Sequence, residues 1–577
     1  MSWKLKAKKW QEAMLNDEMI ERLNDLCNDE KALEECFYTD LQFGTGGMRG
    51  ILGVGTNRMN IYMVRKVAEG LARFMNELGE EVKRRGVVIA YDSRHKSKEF
   101  ALEVAKTVGE RGIKTYLFDG MRPTPELSFA VRYLHAFSGV VITASHNPPQ
   151  YNGIKLYGED GAQITPEAST SIIQQMETID ELSIEVAEEQ QLVERNLLTY
   201  IGEEIDRAYI EQLLTIRLNE EVIRKTTNDL KIVFTPLHGT AAHIVPKGLR
   251  AYGFQHITVV KEQADADPNF STVQLPNPEE HDAFTMAMEY GKREDADLLL
   301  GTDPDADRLG VAVKNAQGVY EVLTGNQLGA LMLHYMLSQK QAKQTLPNNG
   351  VVIKTIVTSE LGRAIATDFG LKTIDTLTGF KYIAEKIKQY ESTGTYTFQF
   401  GYEESYGYLI ADFVRDKDAV QAALFITEVA AYYKQKGMSL YDALQALFER
   451  YGFYKESLHS LTLEGKEGAQ QMKHIFKSFR TRPLTEIAGI AVKEIEDYTT
   501  GERYDLVNNK KEELHLPRSN VLKYKLIHDQ WICIRPSGTE PKLKFYYGVK
   551  QSSEKASEAM LKQLEQFIKS KMELFLK

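Results

Sequence analysis

The sequence contains little cysteine, no excess of basic charge and no long apolar run. Three cysteines occur among 577 residues, and neither a Cys-x-x-Cys pair nor a His-Glu-x-x-His motif is present. This excludes the disulfide framework of a small secreted protein and the commonest zinc motifs. With 71 Lys+Arg against 81 Asp+Glu, the formal net charge is −10. We therefore expect neither nucleic acid nor a membrane as a partner bound through bulk positive charge.

The apolar runs are too short for a membrane span. One of the longest, residues 328–337, already contains His334 and falls far short of the ~20 apolar residues that a spanning helix needs. We therefore expect a cytoplasmic protein whose partners are small molecules. A few clustered basic residues would still be enough to bind one phosphate group.

Short apolar runs alternate with segments of helical spacing along most of the chain. Residues 87–91, 115–118 and 140–142 have the composition of buried strands, and residues 66–78 and 100–111 have helical apolar spacing. This alternation predicts α/β domains with largely parallel sheets.

Two other regions allow a closer local prediction. Asn277, Pro278 and Glu280 have the residue types of a helix N-terminus, so we expect a helix from there to about Gly291. From residue 453 onward, polar strands predict an α+β domain that ends in an amphipathic helix around 556–576.

The first candidate functional motif is Thr-Ala-Ser-His-Asn-Pro-Pro at 143–149, directly after the predicted strand 140–142. A serine at the end of a strand, beside His146 and before a double proline, is a candidate exposed nucleophile. The motif differs from the Gly-x-Ser-x-Gly turn of hydrolases. A surface turn in which Ser145 and Asn147 bond their own backbone is the alternative.

The second motif is Asp-Pro-Asp-Ala-Asp-Arg at 303–308, shortly after the apolar run 298–300. In an extended loop, alternate residues point the same way, so the three carboxylates would face one ligand. Hard oxygen ligands of this kind suit Mg²⁺. The loop lacks the Gly and Glu positions of a calcium-binding EF-hand. A solvated acidic turn is the alternative.

Four further segments carry groups that bind phosphate or sugar. The loop that starts at Arg535 combines a guanidinium, two hydroxyls and a glycine, which together form an anion site. Glu403 and Ser405 lie in a glycine-framed loop and could bond sugar hydroxyls. Arg49 lies in a glycine-rich stretch, and residues 378–381 are a weaker candidate. A plain polar or Pro/Gly turn is the alternative for each.

These motifs are spread evenly along the chain. Ser145, Asp303, Glu403 and Arg535 are separated by 158, 100 and 132 residues, which is about one motif per domain of ~150 residues. A nucleophile, a metal site, a hydroxyl-binding loop and a phosphate-binding loop have complementary roles. We therefore expect them to meet in one cleft.

In order and spacing, the four motifs resemble the α-D-phosphohexomutase family, and the resemblance extends from Phe43 to beyond Arg535. It implies a four-domain architecture of three related α/β domains and a C-terminal α+β domain around a central cleft. The expected domains are a helical extension at 1–40, α/β domains at 41–205, 206–322 and 323–450, and an α+β domain at 451–577.

The resemblance also implies roles for individual residues. Catalytic roles fall on Ser145, His146, Lys155 and Arg308, and the ligands of Mg²⁺ would be Ser145, Asp303, Asp305 and Asp307. The substrate-binding residues would be Arg49, Gly379, Lys381, Glu403, Ser405, Arg535, Ser537, Gly538 and Thr539. Ser145 would be a phosphoserine, and Lys155 would transfer protons. The chain departs from many relatives at Pro304, Ala306 and Tyr406.

The implied reaction is the reversible conversion of α-D-glucose 1-phosphate into D-glucose 6-phosphate, with glucose 1,6-bisphosphate as intermediate and activator. Mannose and pentose phosphates are alternative substrates, because epimers differ by one hydroxyl contact. Two other classes stay open, namely an aspartate-nucleophile phosphatase that uses Asp303 and a sugar-phosphate-binding scaffold without activity. We expect hexose phosphates as partners and a monomer or homodimer.

Overall fold

The structure is a computed structural model that describes residues 2–44, 47–463, 465–537 and 542–576. The chain forms two compact units, each built from several segments. The first unit comprises Met1–Gly325, Ala384–Phe400 and Ser405–Ser439, and the second unit comprises Asn326–Ile383, Gly401–Glu404 and Leu440–Lys577. Among the described residues, no helix has both the length and the apolar character needed to cross a bilayer.

Three short helices form the N-terminal extension. They are α1 (Trp3–Glu12), α2 (Asp17–Leu26) and α3 (Glu30–Phe37). The side chains of Asn16 and Asp29 accept hydrogen bonds from the first turns of α2 and α3, which satisfies N–H groups that have no partner within the helix. Trp10 is fully buried and packs edge-on against Phe37 and Tyr62. Because Tyr62 lies beyond the extension, this aromatic cluster anchors the extension to the part of the chain that follows.

The first α/β part follows the extension and contains a six-stranded sheet. Its elements are β1 (Gly47–Ile51), α4 (Ile61–Leu78), α5 (Glu80–Arg85), β2 (Val87–Tyr91), α6 (Ser97–Glu110), β3 (Thr115–Phe118), α7 (Thr124–Tyr133), β4 (Ser138–Ile142), β5 (Tyr151–Tyr157), α8 (Pro166–Glu177), α9 (Glu189–Glu194) and β6 (Leu198–Ile201). The strand order is β1-β5-β4-β2-β3-β6.

Strands β4, β2, β3 and β6 of this sheet are parallel, whereas β1 and β5 pair antiparallel at one edge. Every residue of β2 and β4 is buried. The apolar composition of residues 87–91 and 140–142 therefore predicted buried strands correctly. The carboxyl end of β4 leads directly into the loop of Ser145.

The second α/β part contains a five-stranded sheet. Its elements are α10 (Glu203–Leu213), α11 (Glu220–Thr226), β7 (Ile232–Thr235), α12 (Ala241–Tyr252), β8 (Ile257–Val259), α13 (Thr285–Glu294), β9 (Leu298–Thr302), β10 (Leu309–Lys314) and β11 (Tyr320–Val322), with 3₁₀ turns at Leu214–Ile216, Lys261–Gln263 and His281–Phe284. The strand order is β11-β10-β9-β7-β8. Strand β9 is buried throughout and delivers Asp303 to the sheet edge.

The helix predicted from Asn277 begins eight residues later, so that prediction was wrong. Asn277 closes a local turn instead, because its side chain accepts from Glu279 N–H and its carbonyl accepts from Glu280 N–H. Such local bonds compete with a helix. The 3₁₀ turn that follows packs Phe284 against the glycines of β9 and β10, and α13 continues past Gly291 to Glu294.

The third α/β part has elements in both units. They are α14 (Gly325–Ala342), β12 (Gly350–Thr355), α15 (Leu361–Asp368), β13 (Lys372–Thr376), α16 (Phe380–Thr393), β14 (Thr397–Glu403), β15 (Gly407–Leu409), α17 (Ala419–Gln435) and α18 (Leu440–Tyr451). Within the second unit, β12 and β13 pair in parallel. Within the first unit, α17 packs against α11 and α12.

The C-terminal part lies entirely in the second unit. Its elements are β16 (Phe453–Thr462), α19 (Gly465–Thr481), β17 (Glu486–Ile487), β18 (Ile490–Asp497), β19 (Glu502–Asp505), β20 (Lys510–Glu513), β21 (Leu522–Leu526), a 3₁₀ turn at Ile527–Asp529, β22 (Trp531–Pro536), β23 (Lys542–Gln551) and α20 (Glu554–Leu576). The strands pair antiparallel. The final helix buries Leu561, Leu564, Ile568 and Met572, as the predicted amphipathic pattern requires.

Candidate active site

Ser145 lies in a tight loop beyond the end of β4. It is buried, and its backbone adopts a left-handed conformation with φ of 52°. Its amide donates to the Thr143 hydroxyl at 2.8 Å. The Ser145 hydroxyl donates to Asp303 Oδ2 at 2.8 Å, and His146 Nδ1 lies 3.3 Å from Ser145 Oγ. The predicted nucleophile and the first predicted metal ligand are thus in direct contact.

Arg94 stabilises this loop through hydrogen bonds to its main chain. Its guanidinium donates to the main-chain carbonyls of four loop residues, which are Ser145, Asn147, Pro148 and Tyr151. The side chain is fully buried, 3.4 Å from the carboxylate of Asp92, and it stacks over Phe270. Burial lowers the pKa of Arg94 to about 10, so the group keeps its charge at neutral pH.

The three aspartates of the second motif form a buried cluster at the end of β9. One carboxylate oxygen from each of Asp303, Asp305 and Asp307 lies within 4.8 Å of the others. The expectation of an extended loop was wrong. The Ala306 N–H donates back to the Asp303 carbonyl, and Ala306 has φ of 54°. The carboxylates meet because the loop turns.

Asp303 is held on both of its oxygens. Oδ1 accepts from the main-chain N–H groups of Asp307 and Arg308, at 3.1 and 3.0 Å, while Oδ2 accepts from Ser145. Burial, together with the charges of Asp305 and Asp307, raises the pKa of Asp303 well above its ordinary value. A cation in this cluster would relieve that repulsion.

Two lysines provide positive charge on the other side of the cluster. Lys155 Nζ lies 2.7 Å from Asp305 Oδ2 and 3.3 Å from Asp307 Oδ2, and Lys417 Nζ lies 3.1 Å from Asp307 Oδ2. Burial alone would raise the pKa of Asp307, but the charges of Lys417 and Lys155 outweigh burial and lower it. Asp307 is therefore ionised.

The cluster has the donor set of a hard divalent cation. Among the described residues, Asp305 Oδ1 and Asp307 Oδ1 are buried oxygens without a hydrogen-bond donor. Unpaired buried carboxylate oxygens are costly unless a cation approaches them. Three clustered carboxylates, two of them with an open oxygen, match the ligands that Mg²⁺ prefers.

The predicted arginines and His146 surround the same loops. Arg49 donates to the Asn147 side chain at 3.2 Å, and Arg308 forms an ion pair with Glu279. Burial holds the pKa of His146 well below its usual range, and the charges of Arg308 and Arg49 add to this effect. His146 is therefore neutral, and the positive charges near it come from the two arginines.

Other predicted binding residues lie in the second unit. Glu403 accepts from the Gly379 N–H at 2.8 Å, and Lys381 is a buried side chain next to Tyr382. Arg535 is the penultimate residue of strand β22 in the second unit, and the Ser537 N–H donates to the Lys542 carbonyl at 2.7 Å. Gly538 and Thr539 lie outside the described residues. Ser405 belongs to the first unit and is half-buried beside Tyr406.

Sequence reasoning missed Lys417 and Arg94. Lys417 shows no motif, and its role emerges only when residues more than a hundred positions apart meet. Arg94 did leave a signal, because Asp92-Ser-Arg94 directly follows the buried strand β2. Strand β2 is the parallel neighbour of β4, so both loops reach the same sheet edge.

Comparison with known families covers the three α/β parts of the chain. Residues 40–183, 207–318 and 324–451 match the models of the alpha/beta/alpha domains I, II and III of phosphoglucomutase/phosphomannomutase. Together with the C-terminal part of sheets and helices, this confirms the predicted fold class of α/β domains followed by an α+β domain.

Relatives of similar length match nearly the whole chain. A phosphoglucomutase of Staphylococcus haemolyticus is 40% identical over 89% of this chain and 91% of its own. A phosphoglucomutase of Staphylococcus aureus (strain bovine RF122) is 41% identical over 92% of this chain and 95% of its own. The open form of parafusin, a Paramecium phosphoglucomutase, shares the fold with a TM-score of 0.67, at 16% identity over 93% of this chain and 95% of its own. The chain therefore belongs to the phosphoglucomutase/phosphomannomutase family, as its motifs predicted.

Proposed function

We propose that this protein is a phosphoglucomutase that interconverts α-D-glucose 1-phosphate and D-glucose 6-phosphate. The observation that carries the proposal is the contact between the Ser145 hydroxyl and Asp303 inside the aspartate cluster. The phosphoglucomutase names of relatives at 40–41% identity support the same activity. They do not favour the phosphomannomutase or phosphopentomutase alternatives.

Asp303, Asp305, Asp307 and an oxygen of Ser145 or its phosphate would hold Mg²⁺, which neutralises charge on a phosphoryl group in transfer. Phosphorylated Ser145 would give its phosphoryl group to the free hydroxyl of the bound sugar phosphate, which forms glucose 1,6-bisphosphate. The other phosphate of this intermediate would then return to Ser145 and release the isomerised monophosphate. The strained, buried loop fixes the direction of the Ser145 hydroxyl, as in-line transfer requires. Arg308 would contact the reacting phosphate.

Proton movement would fall to groups beside the cluster. Lys155 holds its ammonium between Asp305 and Asp307 and is the candidate for proton transfer to and from the sugar hydroxyl. His146 is neutral and within 3.3 Å of the serine hydroxyl, so it would orient that hydroxyl rather than add charge.

The remaining predicted residues would bind the substrate. Glu403 and Ser405 would bond sugar hydroxyls, and the contact of Glu403 with the Gly379 amide supports a fixed carboxylate there. The other proposed positions, for phosphate or sugar, are Arg49, Gly379, Lys381, Arg535, Ser537, Gly538 and Thr539. Hexose phosphates would be the partners. The cytoplasmic location, the four-domain boundaries and the monomer or homodimer stay predictions.

An aspartate-nucleophile phosphatase is the second enzyme class, with Asp303 as nucleophile. The geometry does not favour it. Both oxygens of Asp303 already accept hydrogen bonds, one from Ser145 and the other from two main-chain amides.

The decisive test compares Ser145→Ala with Ser171→Ala, which removes an exposed hydroxyl of α8. Ser145→Ala should lower mutase turnover by ~10⁴-fold or more, because the nucleophile is lost, while Ser171→Ala should leave it unchanged. After incubation with glucose 1,6-bisphosphate, mass spectrometry should find a hydroxylamine-resistant phosphoryl group on the wild type only at Ser145. Activity should require Mg²⁺ and disappear with a chelator.

Near-normal turnover of Ser145→Ala would overturn the proposal, as would a hydroxylamine-labile phosphoryl group on Asp303. Substrate preference is a separate question, which a panel of kcat/KM values for glucose, mannose and ribose 1-phosphates tests. We expect glucose 1-phosphate to give the highest value.

A further inference from the structure

Three helix N-termini meet at the metal loop, defined here as residues 303–308. Helix α7 begins at Thr124, α12 begins after Thr240, and α17 begins at Ala419. Their first N–H groups donate to successive carbonyls of the metal loop. Thr240 donates to Pro304 at 2.8 Å, Thr124 to Asp305 at 2.9 Å, and Ala419 to Ala306 at 3.2 Å.

These contacts give hydrogen-bond partners both to the helix N–H groups and to the carbonyls of the metal loop. The first N–H groups of a helix have no partner within the helix, and the carbonyls of a turned loop have none within a sheet. Because three consecutive peptide groups are fixed from outside, the backbone of the metal loop is held in place without any contribution from a metal ion.

Thr124 differs from the other two supports in what its side chain does. The Thr124 hydroxyl donates to Asp305 Oδ2 at 3.1 Å. The Thr240 hydroxyl donates to the Pro304 carbonyl at 3.0 Å and therefore contacts no carboxylate. Ala419 has no polar side chain. Of Thr124, Thr240 and Ala419, only Thr124 thus reaches a predicted metal ligand through its side chain.

The contact fixes the orientation of the Asp305 carboxylate. Its Oδ2 accepts from Thr124 and from Lys155, while Oδ1 has no donor among the described residues. The two donors therefore leave Oδ1 as the open oxygen. Thr124 is fully buried, so its bond to Asp305 lies away from solvent.

We infer that Thr124 is a positioning residue for the metal site. Its hydroxyl holds the Asp305 carboxylate so that Oδ1 faces the cation, and its amide fixes the peptide of the same residue. The inference rests on the Mg²⁺ site proposed above. It also joins the first α/β part to a loop of the second, because Thr124 and Asp305 are 181 positions apart. Groups that orient a metal ligand in this way typically contribute 10- to 100-fold to metal affinity.

The test uses the full-length protein, stripped of metal and titrated with Mg²⁺ in a calorimeter. Thr124→Val keeps the shape and the amide but removes the hydroxyl, and we expect Mg²⁺ to bind ~10- to 100-fold more weakly. Thr124→Ser retains the hydroxyl and should bind like the wild type. Thr240→Val is the matched control, because it also removes one buried hydroxyl bond to the loop, but not to a carboxylate. Its Mg²⁺ affinity should stay within ~3-fold of the wild type.

A purely structural role for Thr124 would give a different pattern. Melting temperatures without metal should fall by similar amounts in Thr124→Val and Thr240→Val, because each loses one buried hydrogen bond. Equal Mg²⁺ affinities in these two variants would overturn the inference, as would weak binding by Thr124→Ser. Asp305→Asn distinguishes an error in the role of Thr124 from an error in the proposed Mg²⁺ site itself. If Asp305→Asn bound Mg²⁺ as the wild type does, the metal site itself would be wrong and the inference would fall with it.

Discussion

The Ser145 loop is built around a side chain, whereas the metal loop is held by main-chain groups from outside. In the first, one guanidinium accounts for four carbonyl contacts. In the second, three separate helices each hold one carbonyl. Both loops contain one residue other than glycine in the left-handed region, Ser145 with φ of 52° and Ala306 with φ of 54°.

A left-handed residue costs about 1–2 kcal/mol relative to an ordinary conformation, so each loop must be over-determined by its surroundings. The difference lies in how that support is divided. The Ser145 loop depends on the single buried side chain of Arg94, so a change of that side chain removes all four contacts at once. Support from three helices should survive the loss of any one contact. The following predictions test this contrast.

The largest effect is expected for Arg94→Met. This change removes all four carbonyl contacts and leaves the carboxylate of Asp92 buried without its cation. Breaking a buried pair in this way typically costs 3–5 kcal/mol, and the loss of the loop geometry should reduce turnover by ~100-fold or more. Urea unfolding and mutase kinetics measure the two effects.

Arg94→Lys is the control for charge. Lysine keeps the positive charge but has three donors on a flexible chain, and it cannot reproduce the planar fork that reaches four carbonyls. We expect most of the loss to persist in this variant. Wild-type turnover in Arg94→Lys would show that charge alone holds the loop, and the contrast between the two loops would disappear.

The next prediction concerns the pH dependence of the support at α17. Asp418 caps this helix by accepting from the amides of Val420 and Gln421, and Tyr209 donates to its other oxygen. Complete burial raises the pKa of Asp418 to about 6, from an ordinary value of 3.8. Between these values the folded protein holds a proton that the unfolded chain has lost. The contribution of Asp418 to the free energy of unfolding should therefore decrease as pH rises through this window, by up to ~3 kcal/mol, and stay level above it.

Asp418→Asn removes this titration. It should match the wild type near pH 4, exceed its stability at pH 7, and leave Mg²⁺ affinity unchanged, because Ala419 N–H still reaches the metal loop. Urea unfolding of both proteins between pH 4 and 7.5 provides the measurement. A variant less stable than the wild type at pH 7 would mean that the ionised cap is favourable and that the predicted sign is wrong.

Much of the α/β fold was predictable because strands such as β2, β4 and β9 are buried on both faces. Continuous apolar runs such as 87–91 can be recognised without any knowledge of their neighbours. The helix predicted at Asn277 failed for a local reason. The same residue types that cap helices also close turns. The turn is favoured here by Phe284, whose ring packs against the sheet. Sequence patterns do not contain that long-range contact.

The site was predictable only in part, for the same reason. Ser145 and Asp303 each follow a buried strand, so their place at a sheet edge could be inferred. Thr124 and Lys417 contribute through contacts with distant residues, and nothing in their local sequence distinguishes them from ordinary polar residues. Arg94 follows a buried strand, but its four carbonyl contacts could not be inferred from that position alone. The turn at Ala306 was missed because alanine seldom adopts a left-handed conformation, so an extended loop was the natural expectation.

The smallest effect is expected for Gly239→Ala, which disturbs the contact of the neighbouring Thr240 with the metal loop. A Cβ atom at Gly239 would lie 2.5 Å from Pro304 Cα and 2.6 Å from its carbonyl oxygen. The loop or the turn must move to admit it, at a typical cost of ~1–3 kcal/mol. Gly53→Ala is the control, because its Cβ would meet Arg58 at an ordinary 3.5 Å.

The two remaining supports decide what this movement does to the metal site. Thr124 and Ala419 still hold the peptides of Asp305 and Ala306, so Gly239→Ala should lose stability but bind Mg²⁺ more tightly than Thr124→Val does. Thermal unfolding and Mg²⁺ calorimetry on the same preparations separate the two quantities. If Mg²⁺ affinity fell as far as in Thr124→Val, displacement at Pro304 alone would be enough to disorganise the carboxylates. The metal loop would then depend on single contacts just as the Ser145 loop depends on Arg94.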